Sequence, residues 1–153
     1  MNSTLIKLKK DGLLLKQIAK KDQTPEMCKA AIIQNPKALQ YASKICIDAK
    51  TCMAAVKKDG NVFRYVPSKF FTKKMCLLAV QANPDLLNNV PENWRTREIC
   101  LLAVTKKPET LYYVPHEKKY EILSEETPVQ LLKSIVEFNI EWFSYTHLTL
   151  PTT

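Results

Sequence analysis

Glycine and histidine are both scarce in this sequence, with two of each in 153 residues. So few glycines leave no glycine-rich phosphate loop and make turns with positive backbone dihedrals rare. The two histidines stand far too distant in the sequence for an H-E-x-x-H zinc site, and the five cysteines never adopt the paired spacing of a metal knuckle. Apolar runs are short as well. None approaches the roughly 20 residues that span a bilayer, and lysines interrupt the opening MNSTLIKLKKDGLLLK before a signal-peptide core can form. We therefore expect a cytoplasmic chain without a membrane partner. Nine prolines are present, which leaves punctuation to proline and favours helices with sharp stops.

What the chain does have is a period. Cys28, Cys52, Cys76 and Cys100 stand 24 residues apart, as do Ala31, Ala55, Ala79 and Ala103. Ile32, Val56, Val80 and Val104 keep the same interval. So do Leu39, Phe63, Leu87 and Leu111, and then Ala42, Val66, Val90 and Val114. Four full copies run without a gap over residues 24–47, 48–71, 72–95 and 96–119. A fixed period of this size marks a stacked-repeat architecture.

Each copy opens on Thr24, Asp48, Thr72 or Thr96, side chains that accept hydrogen bonds from the unpaired amides of a helix start. Met27, Cys28, Ala31 and Ile32 then share one helical face. The small alanine allows a neighbour to approach closely. Asn35-Pro36, Asp59-Gly60, Asn83-Pro84 and Lys107-Pro108 end that helix and begin a short second one, over 36–41 in the first copy and 84–89 in the third. Pro67, Pro91 and Pro115, with Ser43 in the first copy, are expected to force an extended exit of about four or five loop residues. Helices this short are marginal alone, so stability must come from stacking. The fold class is all-α: an α-solenoid of short helical hairpins, one per 24-residue repeat.

The register reaches both ways. Counted back, Gly12 falls opposite Pro36, Leu15 opposite Leu39 and Ile18 opposite Ala42, so residues 1–23 read as a partial repeat whose first half has decayed or serves as a cap. The same stretch could be read as a basic amphipathic membrane-surface helix, but the register accounts for it better. Counted forward, residues 120–126 form an acidic insert, and a degenerate repeat resumes over 127–143 with Leu131 in the cysteine place and Trp142 in the leucine place. Residues 1–143 thus form one array. Residues 144–153, SYTHLTLPTT, abandon the repeat; Ser144 to Thr152 read as the translation of a sequencing-library adaptor, and we set them aside as a non-native tail. On that reading the chain is a truncated metagenomic sequence whose natural protein continues past Phe143.

The net charge of +8 is uneven. Residues 1–23 carry six lysines against two aspartates, residues 24–119 carry sixteen basic against eight acidic side chains, and residues 120–143 carry Lys133 against five glutamates. The ladder cysteines read as reduced thiols used as small apolar rungs, because helices packed ~8–10 Å apart hold them too far apart for a disulfide.

Nothing in the residues points to catalysis, so the expectation is a non-enzyme with no cofactor. His116 reads as an exposed loop histidine beside Glu117, and Glu125-Glu126 as a solvated acidic patch. Tyr41, Tyr65 and Tyr113 form a second ladder, interrupted by Asn89. Two readings of it stand: a row of interface tyrosines along a groove that holds an extended protein or peptide partner, or rings that fill gaps between copies. Lys57, Lys58, Lys106 and Lys107 are the best candidates for a basic patch, although the lysines as a whole define no continuous stripe. The expected role is a repeat scaffold presenting an extended surface for protein–protein interaction; the alternative is a nucleic-acid-binding array.

The motif T-x-x-x-C-x-x-A-V-x-x-x-P-x-x-L-x-Y-V-P, seen most fully in TREICLLAVTKKPETLYYVP from Thr96 to Pro115, resembles the repeat of the family catalogued as domain of unknown function 4116. The likeness covers residues 24–119 well and 1–23 in part. It implies tandem helical repeats in bacterial proteins, often beside other domains, and no catalytic or binding residues.

Overall fold

The structure, a computed structural model, describes residues 3–123 and Lys133. The insert beyond Leu123, the copy expected over 127–143 apart from Lys133, and the tail 144–153 lie outside the described residues. The α-helices are α1 (Ser3–Lys10), α2 (Pro25–Gln34), α3 (Ala49–Lys58), α4 (Lys73–Ala82), α5 (Arg97–Lys106) and α6 (His116–Ile122). Between them lie six-residue 3-10 helices at Gly12–Gln17, Pro36–Tyr41, Gly60–Tyr65, Pro84–Asn89 and Pro108–Tyr113, each starting 24 residues after the last. No strand occurs among the described residues.

The caps explain the boundaries. Thr24 accepts from the Met27 amide at 3.3 Å, Asp48 from Thr51 at 2.7 Å, Thr72 from Met75 at 3.2 Å and Thr96 from Ile99 at 3.4 Å. The Thr51 amide, joined by the Thr51 hydroxyl, holds the Asp48 carboxyl below its ordinary value. At the other end a single extended residue ends one helix and starts the next. The Asn35 amide donates to Ala31 O at 2.8 Å, while its side chain accepts from the Lys37 amide at 3.0 Å. Asp59 and Asn83 repeat both bonds.

The second helix of each copy is 3-10 rather than α, a geometry that its spacing accommodates. Its inward residues, Leu39 and Ala42, Phe63 and Val66, Leu87 and Val90, Leu111 and Val114, are three apart, so the three-residue turn places each pair on one face. A further row, Ala38, Val62, Leu86 and Thr110, is buried beside them. After the exit proline the chain does not run as an extended loop. It closes another short turn, with the Phe70 amide donating to Pro67 O at 2.9 Å and the Trp94 amide to Pro91 O at 2.8 Å. Ser43 accepts the same bond from Cys46 at 3.0 Å, which is why losing the proline in the first copy does no harm.

The elements form two layers. Each of α2 to α5 packs on the α-helix before it, on the 3-10 helix that follows it and on the 3-10 helix of the preceding copy, while successive 3-10 helices pack side by side. The result is a solenoid of repeating units with sequential contacts. The cysteine, alanine and Ile/Val rows are buried along its length, and each large apolar side chain so placed contributes about 1.5–3 kcal/mol. All five cysteines are free; burial pushes the Cys28, Cys52, Cys76 and Cys100 thiols up to about 11. In the leading segment, α1 buries Leu8, packs on α2 and leads into the 3-10 helix Gly12–Gln17 in register.

Candidate binding face

The three ladder tyrosines part company in the structure. Tyr41 and Tyr113 are half-buried against the core, whereas Tyr65 is 40% exposed. Tyr112, at the preceding register position, is far more open than Tyr113 and meets its ring edge-on at 5.4 Å. Tyr41 and Tyr113 thus lie against the core, and Tyr65 is the most open of the three.

The junctions between copies also differ. Gln23 ends the leading segment, is buried, and donates from Nε2 to Ile18 O at 3.1 Å and to Tyr41 O at 3.0 Å. Its Oε1 accepts from the Ser43 amide at 2.7 Å. Arg95 ends the third copy and repeats this clamp, with Nε to Val90 O at 2.7 Å and Nη1 to Tyr113 O at 2.6 Å. The second copy ends on Phe71, which stacks on Phe63 at 4.6 Å. The first copy ends on Ile47, a short apolar side chain that cannot bridge carbonyls, and there a cleft of about 270 Å³ opens. Its floor is Leu39, Ile47 and Val66; Lys20, Lys44, Arg64 and Tyr65 stand around it, and no carboxylate lines it. A second concavity of about 330 Å³ shares Gln40, Arg64 and Tyr65 with the first and is bounded by Lys37, Asp59 and Asn61.

None of the four lysines singled out from the sequence lines either concavity. Lys58 and Lys106 occupy one register position and do the same work. Lys58 Nζ donates to Ile33 O at 2.6 Å, and Lys106 Nζ to Gln81 O at 2.5 Å, each serving a carbonyl near the end of the preceding α-helix. Lys107 Nζ is bonded to Asp85, 2.7 Å from Oδ2, and this contact raises its pKa. Asn83 makes the corresponding contact one copy earlier, to Asn61 Oδ1 at 2.8 Å. Lys57 is exposed on α3. The basic residues that do gather, Lys20, Lys44 and Arg64, escape the sequence reading because they come from three different copies. The available signal was the shared register position of Lys20 and Lys44, 24 residues apart.

His116 is exposed and packs edge-on against Tyr120 at 5.3 Å. Among the described residues no group of three or more His, Cys, Asp or Glu side chains is placed to hold a metal ion, and no helix is long and apolar enough to cross a membrane.

A family model described as a domain of unknown function, DUF4116, matches residues 24–71 and again residues 72–117. One family unit thus spans two of the 24-residue copies. No curated protein and no solved structure matches the chain.

Proposed function

The chain belongs to the DUF4116 family, a domain of unknown function, and we propose that it acts as a non-enzymatic scaffold whose 3-10 face binds a protein or peptide partner. The observation that carries this reading is the exposed Tyr65 on the wall between two adjoining concavities, one of them with an apolar floor. A large amphipathic ring beside an apolar pocket is the kind of anchor that protein interfaces use. Nucleic-acid binding, the competing reading of a basic array, draws less support. Lys58 and Lys106 are engaged with carbonyls and Lys107 with a carboxylate, so three of the four lysines singled out for a basic patch are already held by protein acceptors rather than free for phosphates.

The test is selection from a random peptide display library on the full chain, with Tyr65→Ala as the counter-target. Enrichment of peptides that bind the chain and not the variant is expected. Failure to enrich any such peptide contradicts the reading.

A further inference from the structure

We infer that the cleft at the junction of the first and second copies takes an extended acidic peptide, seating one apolar side chain on the Leu39, Ile47 and Val66 floor with carboxylates facing Lys20, Lys44 and Arg64. This rests on the scaffold reading above and adds the chemistry of the partner to it.

Three observations carry it. First, the cleft lies at a junction where the last position of the copy carries no hydrogen-bonding side chain. Gln23 and Arg95 bridge the equivalent junctions by hydrogen bonds to tyrosine carbonyls, whereas Ile47 has no polar group with which to do so; Phe71, at the same register position, stacks on Phe63 of its own copy. Second, the cleft is lined by three cationic side chains and no anionic one, a sign that favours an acidic partner. The charge changes along the same rows: Lys20 and Lys44 are followed at their register position by Ser68, Glu92 and His116, and the neighbouring row offers Asp85 and Glu109 in the third and fourth copies. The site is thus confined to the first half of the face, which suits a short segment better than a nucleic-acid strand crossing the whole array. Third, Lys20 and Lys44 sit on adjoining copies, which packed helices space ~8–10 Å apart. An extended polyproline-type peptide returns to the same face every third residue, over about 9 Å. Acidic side chains three residues apart can then meet successive lysines.

The experiment is fluorescence anisotropy on the full chain with a labelled peptide of about nine residues carrying Glu at every third position and one central Leu. Three controls run beside it: the same peptide with Gln for Glu, the same with Ser for Leu, and a thymidine oligonucleotide of similar length. The acidic peptide should bind, and binding should weaken by about tenfold or more in Lys44→Glu and in Arg64→Glu, with further loss as salt rises. Both side chains are exposed, so circular dichroism should show the fold unchanged. Ile47→Gln, which supplies the side chain found at Gln23, should close the cleft and abolish binding while the chain stays folded. Equal binding of the Glu and Gln peptides, or indifference to both charge reversals, overturns the inference. Tighter binding of the oligonucleotide with the same sensitivity to Lys44→Glu and Arg64→Glu would overturn it in favour of nucleic acid. If the acidic peptide fails but library selection still yields Tyr65-dependent peptides of other composition, the scaffold reading stands and this inference alone falls.

Discussion

Arg95 Nη1 donates to the carbonyl oxygen of Tyr113 at 2.6 Å, across the junction between the third and fourth copies. The same side chain bonds Val90 O and Asn88 O, so one guanidinium joins two successive 3-10 helices. Arg95→Ala should leave these carbonyls without their partner and lower the free energy of unfolding by about 1–3 kcal/mol. Arg95→Gln should recover part of the loss, because Gln23 makes the corresponding two bonds with an amide. Urea denaturation measures both; equal losses for Ala and Gln would contradict the clamp.

Gly60 begins a 3-10 helix where three other copies have proline, and a Cβ built on it would lie 2.3 Å from the Ala82 Cβ. Gly60→Ala should cost about 1–3 kcal/mol through overpacking. Ala82→Gly in the same chain should restore much of it, giving a clear coupling in a double-mutant cycle. Gly12→Ala has no such rescue, since its Cβ would meet the Ala31 backbone oxygen at 2.1 Å.

Ala79 is fully buried on α4, close to Gly60 of the preceding copy. Ala79→Leu should overpack that contact and cost about 1–3 kcal/mol. An unchanged denaturation midpoint would mean that the close approach is not what the alanine row provides.

These close contacts separate what the sequence discloses from what it conceals. The period, the Thr and Asp caps and the Asn-Pro stops are local, so they could be read directly, and the buried rows followed from them. The 3-10 geometry was not legible, because the three-residue step from Leu39 to Ala42 suits an α-helix as well and so short a helix offers too little pattern to tell the two apart. The clamps were concealed because the last register position holds Gln23, Ile47, Phe71 and Arg95 in turn, and a row without a common residue type looks empty. Lys58 and Lys106 misled in the opposite direction. Two charged residues at one register position suggest a surface patch, yet a lysine stem can reach a carbonyl of the preceding copy, and both do.

The buried thiols give a pH signature. Cys28, Cys52, Cys76 and Cys100 have folded pKa values raised to about 11 against an ordinary 9.0, so folding favours the protonated form. Their contribution is complete below pH 9, where the thiols are protonated folded or unfolded. It is lost as pH rises from 9 through 11, because the unfolded chain releases protons that the folded chain retains. The denaturation midpoint should fall over this window, less steeply in Cys76→Ala than in the parent. With an aromatic disulfide reagent at neutral pH, half-buried Cys46 should react first and the four buried thiols only on unfolding.

Binding of a selected peptide to the 3-10 face around Tyr65 can be read by amide chemical-shift mapping of the full chain during titration. Saturable shifts should cluster at Gln40, Lys44, Arg64, Tyr65 and Val66, with Lys57 and Thr105 near the ends of α3 and α5 unmoved. Shifts centred on Lys57 and Thr105, with the Tyr65 amide silent, would contradict it.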